Sequence, residues 1–422
     1  MHGSATDIVH AGGAALGRRP WAAFFSREFW RVAGPAALVS VGYMDPGNWG
    51  TDIEGGARFG YQLLWVILVS NVVAIFLQSL AAKLGLATGR TLAENCRAHM
   101  SRPVALGLWA AAEVAVMATD LAEILGGAIA FHLLFGLPLW AGAALTGIVV
   151  MATLGLYRYG VRAVEFAIGA FVSLIGLAYL YEISLVAPDW AEIGRSFVRP
   201  TLTPESVVVA VGILGATVMP HNLFLHSGLI LSRRAADPER NRTTYRFAVA
   251  DSVMALNVAW LVNSAILVMS AAAFHANGLS VASIGEAHRT LVPLLGGAAG
   301  LAFAVALLCS GLASSATGTL AGQMILEGFL EVRIPLWLRR VITMVPALAV
   351  IAWGLDPLHA LVLSQVVLSL QLPFTVVPLV LLTNRGDVMG ALRNGRGTRM
   401  AAAAVVVALV GLNAVMLVWT LR

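Results

Sequence analysis

The sequence predicts an all-α integral membrane protein with eleven transmembrane helices, and three observations lead to that fold class. Only 12% of the 422 residues are charged and 59% are hydrophobic, whereas a soluble globular domain carries about 25% charged residues. Apolar runs of about 20 residues, the length that crosses the hydrocarbon core of a bilayer, recur along the whole chain. The basic residues alternate between the two sides of these runs.

The apolar runs define eleven predicted spans. Their approximate bounds are 32–58, 62–87, 103–131, 133–156, 161–187, 204–232, 244–274, 293–327, 334–353, 357–383 and 398–420. No remaining polar stretch is long enough for a soluble domain, so residues 32–422 are expected to form a single transmembrane domain. Residues 1–31 lack the apolar core of a signal peptide and are expected to remain as a cytoplasmic tail.

The basic residues predict the orientation of the spans. With the N-terminus inside, 22 of the 27 Lys and Arg residues lie in the tail and the cytoplasmic loops. The exceptions are Arg58, Arg195, Arg199, Arg289 and Arg422. This asymmetry follows the positive-inside rule and accounts for the net charge of +5 without a nucleic-acid partner. We therefore expect a multi-pass protein of the cell membrane, with the N-terminus in the cytoplasm and the C-terminus outside.

Two spans carry a proline beside polar groups near the middle of the membrane. Residues 42–48 of the first span read Gly-Tyr-Met-Asp-Pro-Gly-Asn, and residues 216–221 of the sixth read Ala-Thr-Val-Met-Pro-His. Proline has no N–H, so the carbonyls of Gly42 and Ala216 lose their helical partners. A simple proline kink is the alternative, but it does not explain Asp45, because an aspartate at mid-membrane costs at least ~2.5 kcal/mol.

The breaks lie five spans apart, which is the pattern expected for two inverted repeats of five helices. In such proteins the discontinuous helices meet at the midplane of the bilayer and form the substrate site. The repeats are expected at roughly 32–187 and 204–383, with the helix at 398–420 outside them.

The polar groups at the breaks form a candidate cation site. They are Asp45 and Asn48 of the first span, the Gly42 carbonyl as a weaker candidate, the Ala216 carbonyl, the thioether of Met219, and Gln365 of the tenth span. A carboxylate, amides and a carbonyl suit any hard divalent cation, including Mg²⁺ and Ca²⁺. A thioether favours later transition metals. Methionines in apolar helices are usually packing residues, but Met219 directly precedes the helix-breaking proline.

These motifs, Asp-Pro-Gly-Asn at 45–48 and Met-Pro-His-Asn at 219–222, resemble those of the Nramp family of proton-coupled divalent-metal transporters, which have the fold of the bacterial leucine transporter. The resemblance covers nearly the whole chain, including the order of the spans and the Ser364-Gln365 element. It implies that the metal is bound by Asp45, Asn48, Met219 and the Ala216 carbonyl, joined by Gln365 and, in some states, the Gly42 carbonyl. Relatives that carry Mg²⁺ or aluminium can lack this methionine, so its presence favours Mn²⁺ and Fe²⁺.

The third span carries a second set of acids. Glu113, Asp120 and Glu123 are separated by seven and three residues, which places them on one face of a helix. Acids inside a membrane helix face protein or water and need cations, and the available ones are Arg339 and Arg340 at the start of the ninth span. A structural salt-bridge network and a proton route are both compatible with this pattern.

The Nramp resemblance favours the proton route. It implies that Asp45 accepts the proton first and that His221, Glu123 and Asp120 relay it towards Arg340, while Arg339 and Glu113 extend the network. His226 lies on another face and is expected to pack or to act as a hinge. The roles of Asp251 and Asn257 stay open.

The expected function is import of divalent transition metal ions, such as Mn²⁺ and Fe²⁺, coupled to protons by alternating access. No cofactor, obligatory protein partner or enzymatic activity is expected. A sodium-coupled amino-acid transporter of the same fold is the main alternative, but Asp45 would repel the carboxylate of such a substrate. A channel also remains open. An intramembrane protease is disfavoured because His221 and His226 do not form a His-Glu-x-x-His motif.

Overall fold

The computed structural model describes residues 27–156, 161–279, 281 and 284–420. These residues form eighteen α-helices and three short 3₁₀ turns, at Ile230–Arg233, His275–Asn277 and Gly390–Leu392. The helices are α1 (Arg27–Val32), α2 (Pro35–Gly42), α3 (Pro46–Phe59), α4 (Leu64–Thr88), α5 (Leu92–His99), α6 (Arg102–Phe135), α7 (Leu139–Leu154), α8 (Val161–Leu185), α9 (Trp190–Val198), α10 (Val207–Thr217), α11 (Pro220–Leu229), α12 (Pro238–Ala273), α13 (Ile284–Leu295), α14 (Gly297–Leu330), α15 (Leu336–Ala352), α16 (Pro357–Asn384), α17 (Gly386–Met389) and α18 (Arg396–Thr420).

Each predicted span corresponds to helical structure. Within the described residues, eight helical segments are long and apolar enough to cross a membrane, and they match the second, third, fifth to eighth, tenth and eleventh spans. The other three spans are shorter helices. The first is divided into α2 and α3, the fourth is α7 with 16 residues, and the ninth is α15 with 17 residues.

The structure moves several predicted boundaries. Residues 1–26 of the predicted tail lie outside the described residues, and its last residues enter α1. The seventh span begins at Pro238 rather than at 244, because Asp237 caps the helix by accepting the Glu239 N–H at 3.0 Å. The eighth span begins at Gly297 rather than at 293, because Gly296 has a φ of 94° and separates α13 from α14.

Both predicted helix breaks are confirmed. The first span stops at Gly42 and resumes at Pro46, with Asp45 at the N-cap position, where its side chain accepts the Asn48 N–H at 2.9 Å. The sixth stops at Thr217 and resumes at Pro220, with Met219 at the N-cap position. Proline has no N–H, so Pro46 and Pro220 cannot continue the helix that precedes them. At the first position of a new helix the missing N–H leaves no donor unsatisfied, so a new helix starts at each proline.

Glycines allow the central helices to approach each other closely. A Cβ at Gly215 of α10 would lie 2.0 Å from the Gln365 carbonyl oxygen and 2.7 Å from the Ser369 nitrogen, both on α16. A Cβ at Gly311 of α14 would lie 3.0 Å from the Gly127 nitrogen on α6. Small residues at such positions let the backbones of membrane helices pack together, and here they bring α10 and α16 together beside the sixth-span break.

Replacing Gly215 with Ala should destabilise the protein, because the added methyl group meets backbone atoms that cannot move independently. Overpacking of this kind costs about 1–3 kcal/mol, so we expect a lower melting temperature and less monodisperse protein in size-exclusion chromatography. Gly411→Ala on α18 is the matched control, because no atom lies within 4 Å of the new Cβ. Equal melting temperatures for the two variants would contradict the close packing of α10 on α16.

Candidate metal-binding site

The two helix breaks meet through the side chain of Asn48. Its Nδ2 donates to Asp45 Oδ1 at 2.7 Å and to the Ala216 carbonyl oxygen at 3.1 Å. The first contact stays within the first span, and the second crosses to the sixth. All three residues are buried. One amide group therefore lies between a carboxylate and a carbonyl that has lost its helical partner.

The other carboxylate oxygen of Asp45 faces Gln365. Asp45 Oδ2 is buried and has no hydrogen-bond partner among the described residues. A Cβ at Gly47 would lie 3.1 Å from this oxygen and 1.8 Å from Gln365 Nε2. Gly47 thus leaves room for both groups, and the amide of Gln365 reaches the first-span break from α16. Gln365 Nε2 also donates to Ser364 Oγ at 2.9 Å.

Met219 lies at the sixth-span break and is completely buried. Its sulfur accepts a hydrogen bond from Asn222 Nδ2 at 3.4 Å. The same amide lies against Gly42, where a Cβ would be 2.3 Å from Asn222 Nδ2. The Gly42 carbonyl is not left free as predicted, because it accepts the Asp45 N–H at 3.2 Å in a turn.

Asn263 of α12 was not singled out by the sequence analysis. Its Nδ2 donates to the Tyr43 carbonyl at 2.8 Å and to Asn48 Oδ1 at 3.2 Å. It therefore fixes the unwound first span from a third helix and orients the Asn48 amide. The only sequence signal is an asparagine inside an apolar span, which does not reveal its partner.

The acids of α6 lie beside the two arginines of α15. Arg339 binds Glu113 through two contacts, Nη1 to Oε1 at 3.1 Å and Nη2 to Oε2 at 2.7 Å. Arg340 Nη1 donates to Asp120 Oδ1 at 2.7 Å, and its Nη2 donates to Ser315 Oγ on α14. Arg340 and Asp120 are both almost fully buried, so each neutralises the charge of the other inside the protein.

Glu123 and His221 lie between the arginine pairs and the helix breaks. Both carboxylate oxygens of Glu123 are buried without a hydrogen-bond partner among the described residues. Glu123 is one turn from Asp120 on α6, so the two carboxyls lie on the same side of that helix. His221 Nδ1 lies 3.2 Å from Thr119 Oγ1, also on α6. If Glu123 carries a proton, its hydroxyl group can donate a hydrogen bond, whereas the ionised carboxylate can only accept.

Three residues whose roles the sequence left open have defined contacts. Asp251 Oδ2 accepts the N–H groups of Gly34 at 3.1 Å and Ala36 at 3.0 Å, so α12 caps the start of α2. Asn257 Oδ1 accepts from Asn71 Nδ2 at 3.1 Å. His226 contacts Gln78 of α4.

His226 joins a separate chain of polar side chains. Its Nδ1 lies 2.9 Å from Gln78 Oε1, and Gln78 Nε2 donates to the Tyr43 hydroxyl at 2.7 Å. The chain connects α11 through α4 to the residue that follows α2. These contacts agree with a packing or hinge role rather than with a place among the acids of α6.

The groups at the breaks offer one carboxylate, amide oxygens, a carbonyl and a thioether. Within the described ranges, no cluster of three or more His, Cys, Asp or Glu side chains could hold a metal ion. The candidate site thus differs from a typical protein metal site in having few charged ligands. A single carboxylate with neutral donors suits a cation that must leave again, and the sulfur favours a transition metal.

Comparison with known proteins agrees with this architecture. A divalent metal cation transporter named MntH from Verminephrobacter eiseniae is 51% identical over 391 residues, which are 92% of this chain and 89% of that protein. The family model described as natural resistance-associated macrophage protein-like, Nramp, matches residues 36–419. The chain belongs to the Nramp family.

Solved structures place the Nramp chain in a wider fold class. The manganese transporter of Eremococcus coleocola is 38% identical, with a TM-score of 0.83 and coverage of 92% of this chain and 87% of that chain. MHP1, a nucleobase-cation-symport-1 family transporter, has a TM-score of 0.62 at 16% identity and covers 92% of both chains. At that identity the likeness concerns the fold alone, and it confirms the predicted leucine-transporter-like fold.

Replacing Arg340 with Gln should strongly destabilise this Nramp protein, because Asp120 would keep a buried charge without its partner. Breaking a buried pair in this way costs about 3–5 kcal/mol, and thermal unfolding in detergent measures the loss. The double variant Arg340→Gln/Asp120→Asn should recover part of it.

Arg385→Gln provides the control for the arginine pair. It removes the pair with Asp387, whose side chains are 46% and 63% exposed, and exposed pairs contribute at most about 1 kcal/mol. A melting temperature of Arg340→Gln equal to that of Arg385→Gln would contradict the buried ion pair.

Proposed function

We propose that this Nramp protein imports divalent transition metal ions, Mn²⁺ and Fe²⁺ among them, in symport with protons by alternating access. One observation carries the proposal. The Asn48 NH₂ group lies between Asp45 Oδ1 and the Ala216 carbonyl oxygen, so a donor with partial positive charge bridges the two helix breaks. The names of the relatives, a divalent metal cation transporter and a manganese transporter, support the same function.

Three of the metal ligands in this proposal, Asp45, Asn48 and the Ala216 carbonyl, are already in contact. When Asn48 turns its amide, both Asp45 and the Ala216 carbonyl become available to a cation, and Asn48 Oδ1 can join them. Met219 adds its sulfur if Asn222 releases it, and Gln365 approaches from α16. The Gly42 carbonyl is a weaker ligand, because it already accepts the Asp45 N–H.

The proton takes a different route from the metal. A dication beside Asp45 repels a proton on the same carboxyl, so binding of the metal releases it. His221, Glu123 and Asp120 relay the proton towards Arg340, while the Arg339–Glu113 pair extends the network. The oxygens of Glu123, which have no hydrogen-bond partner in the described part of the chain, support this assignment, because a group that gains and loses a proton needs a free position.

The driving forces for import follow from the charges. An inside-negative membrane potential assists inward transfer by about 2.3 kcal/mol per charge per 100 mV. We place the N-terminus in the cytoplasm and the C-terminus outside the cell membrane, as the basic residues predict. The breaks at 43–45 and 218–219 would supply the joints for alternating access, and no cofactor or obligatory protein partner is needed.

The main alternative, a sodium-coupled amino-acid transporter, is not favoured. In that class the substrate carboxylate binds at the helix N-termini exposed by the breaks. Here Asp45 occupies the N-cap of α3 and already accepts the Asn48 N–H. A second carboxylate at this position would meet like charge. The relatives are named transporters, which also agrees with the prediction that the protein is not an enzyme.

Replacing Asp45 with Ala should abolish Mn²⁺ uptake into proteoliposomes and the accompanying internal acidification, because the variant loses the only carboxylate at the breaks. Parallel recordings of metal uptake and internal pH across several cations measure both. Glu54→Ala is the control, since this acid of the same helix forms an i,i+4 pair with Arg58. Near-normal transport by Asp45→Ala would remove the central site, and metal uptake without acidification in the parent protein would remove proton coupling.

Replacing Met219 with Ala should weaken discrimination against Ca²⁺ and Mg²⁺, because the remaining oxygen ligands suit hard cations equally well. Competition of each cation with Mn²⁺ uptake gives the selectivity ratio. Met400→Ala, at a methionine that is 74% exposed on α18, should leave the ratio unchanged. An unaltered ratio in Met219→Ala would show that the sulfur does not select the metal.

A further inference from the structure

The last helix, α18, has no part in the routes proposed above, yet it carries one buried polar side chain. Of its apolar stretch, only 22% is buried within the protein. Between Met400 and Leu417 its sequence contains a single polar residue, Asn413. Asn413 is only 6% exposed, so its side chain is turned towards the other helices. Asparagines in membrane helices commonly form hydrogen bonds with a neighbouring helix.

The partner of Asn413 is Ser369 of α16. Asn413 Nδ2 donates to the Ser369 carbonyl oxygen at 2.9 Å, and it also donates to the Leu409 carbonyl of its own helix at 3.0 Å. Ser369 Oγ in turn donates to Asn413 Oδ1 at 3.1 Å. Ser369 is completely buried. The amide of Asn413 therefore contacts both the backbone and the side chain of one residue in the interior of the bundle.

The Ser369 carbonyl needs a donor from outside its own helix. In a regular α-helix it would accept the N–H of the residue four positions later. That residue is Pro373, which lies inside α16 and has no N–H. A proline at such a position removes this hydrogen bond and bends the helix. Asn413 supplies the missing donor, so the contact closes a gap in the backbone hydrogen bonding of α16.

The same turn of α16 lies beside the sixth-span break. Gln365 precedes Ser369 by four residues, about one helical turn. A Cβ at Gly215 of α10 would lie 2.0 Å from the Gln365 carbonyl oxygen and 2.7 Å from the Ser369 nitrogen. Gly215 directly precedes Ala216, whose carbonyl is a proposed metal ligand. The turn from Gln365 to Ser369 is thus in contact with α10 through Gly215 and with α18 through Asn413.

An apolar cluster joins the same three helices. The buried residues that α10, α16 and α18 contribute to it are Val207, Val211, Val366 and Met416. Val366 directly follows Gln365, and Met416 lies about one turn beyond Asn413. The hydrogen bonds of Asn413 are therefore part of a packed contact between α18 and the turn of α16 that carries Gln365.

We propose that Asn413 is a positioning residue for Gln365. It closes the Ser369 carbonyl that Pro373 leaves free, and it thereby fixes the turn of α16 from which the Gln365 amide reaches the first-span break. In the proposed transport function, on which this inference rests, Gln365 is a metal ligand, whereas Asn413 does not touch the metal. The eleventh helix then contributes to the affinity for the transported ion.

Uptake kinetics measure this contribution. Asn413→Leu removes the donor and keeps a side chain of similar size. It should raise the KM for Mn²⁺ uptake into proteoliposomes about tenfold, the lower end of the loss caused by replacing a residue that supports a metal ligand, with a smaller change in kcat. A purely structural defect would reduce the number of active molecules and leave KM unchanged. Gly411→Ala on the same helix, with no atom within 4 Å of the new Cβ, should keep the parent KM.

Mn²⁺ binding to the full-length protein in detergent tests whether Asn413 acts through Gln365. Electron paramagnetic resonance of the free ion gives the Kd of each variant. Asn413→Leu should weaken binding in the parent protein. In the Gln365→Ala background the same replacement should change Kd little, because the ligand that Asn413 positions is gone and the two effects no longer add. An equal loss of affinity in both backgrounds would overturn the inference.

Melting temperatures test the hydrogen bond itself. Asn413→Leu should lower Tm in the parent protein, because the buried Ser369 carbonyl loses its donor. Pro373→Ala restores a backbone N–H that can reach this carbonyl, so adding Asn413→Leu to Pro373→Ala should lower Tm much less. Equal changes of Tm in the two backgrounds would show that Asn413 does not replace the missing N–H, and would overturn the inference.

The double variant Asn413→Leu/Pro373→Ala also provides the uptake measurement if Asn413→Leu alone does not fold. It should be folded and still show the raised KM, because α16 has lost both the bend at Pro373 and the contact with α18. A parent KM in this folded variant would show that α18 is not needed to place Gln365, and would overturn the inference.

The outcomes separate this inference from the transport function. A lower Tm for Asn413→Leu with an unchanged KM would give Asn413 a purely structural role and would overturn the inference. Transport by the parent protein would stand in that case. A parent protein that takes up no Mn²⁺ contradicts the transport function, and the positioning role then falls with it, whatever the melting temperatures show.

Discussion

The fold depends on how the backbone is satisfied where two helices unwind inside the membrane. Lipid offers no hydrogen bonds, so each free carbonyl or N–H must find a partner within the protein. At the sixth-span break, the Asn48 amide donates a hydrogen bond to the Ala216 carbonyl, and it also donates to Asp45 Oδ1 at the first-span break. These hydrogen bonds connect the first and sixth spans at their breaks. A cation could take the place of the Asn48 donor, because both acceptors are oxygen atoms. The same interaction therefore stabilises this arrangement of the two breaks and defines the place where a metal would bind.

Small residues determine how closely the remaining helices surround this point. Gly47 makes room for Gln365, Gly215 lets α10 touch the backbone of α16, and Gly311 does the same between α14 and α6. A side chain at any of them would separate a functional group from its neighbour. A change in the packing of these helices would therefore displace the polar groups of the site, and a change in those groups would alter the packing.

The sequence predicts those features whose cause is local. Proline beside Asp45 and beside Met219 predicts both breaks, because one residue removes the N–H that the helix needs. The seven- and three-residue spacing of Glu113, Asp120 and Glu123 predicts a shared helix face, because the helical repeat alone determines it. The cap that Asp251 provides for α2 has no local cause, because the two residues of the hydrogen bond are 215 positions apart in the sequence. The same is true of the hydrogen bond from Asn263 to Asn48, because the sequence of one span does not show which residue of another span it faces.

The buried acids of α6 and the acid at the first-span break differ in a way that suits different cargoes. Asp120 and Glu113 are each bound to an arginine, and a dication would meet the positive charges of Arg339 and Arg340. A proton can pass such groups because it moves between lone pairs and hydroxyl groups and needs no ligand shell. Asp45 has no arginine partner among the described residues and its Oδ2 has no hydrogen-bond donor there, so its negative charge is available to a metal. In the proposed function this contrast separates the two routes: arginines exclude the metal from the proton path, and the unpaired carboxylate of Asp45 attracts it at the helix breaks.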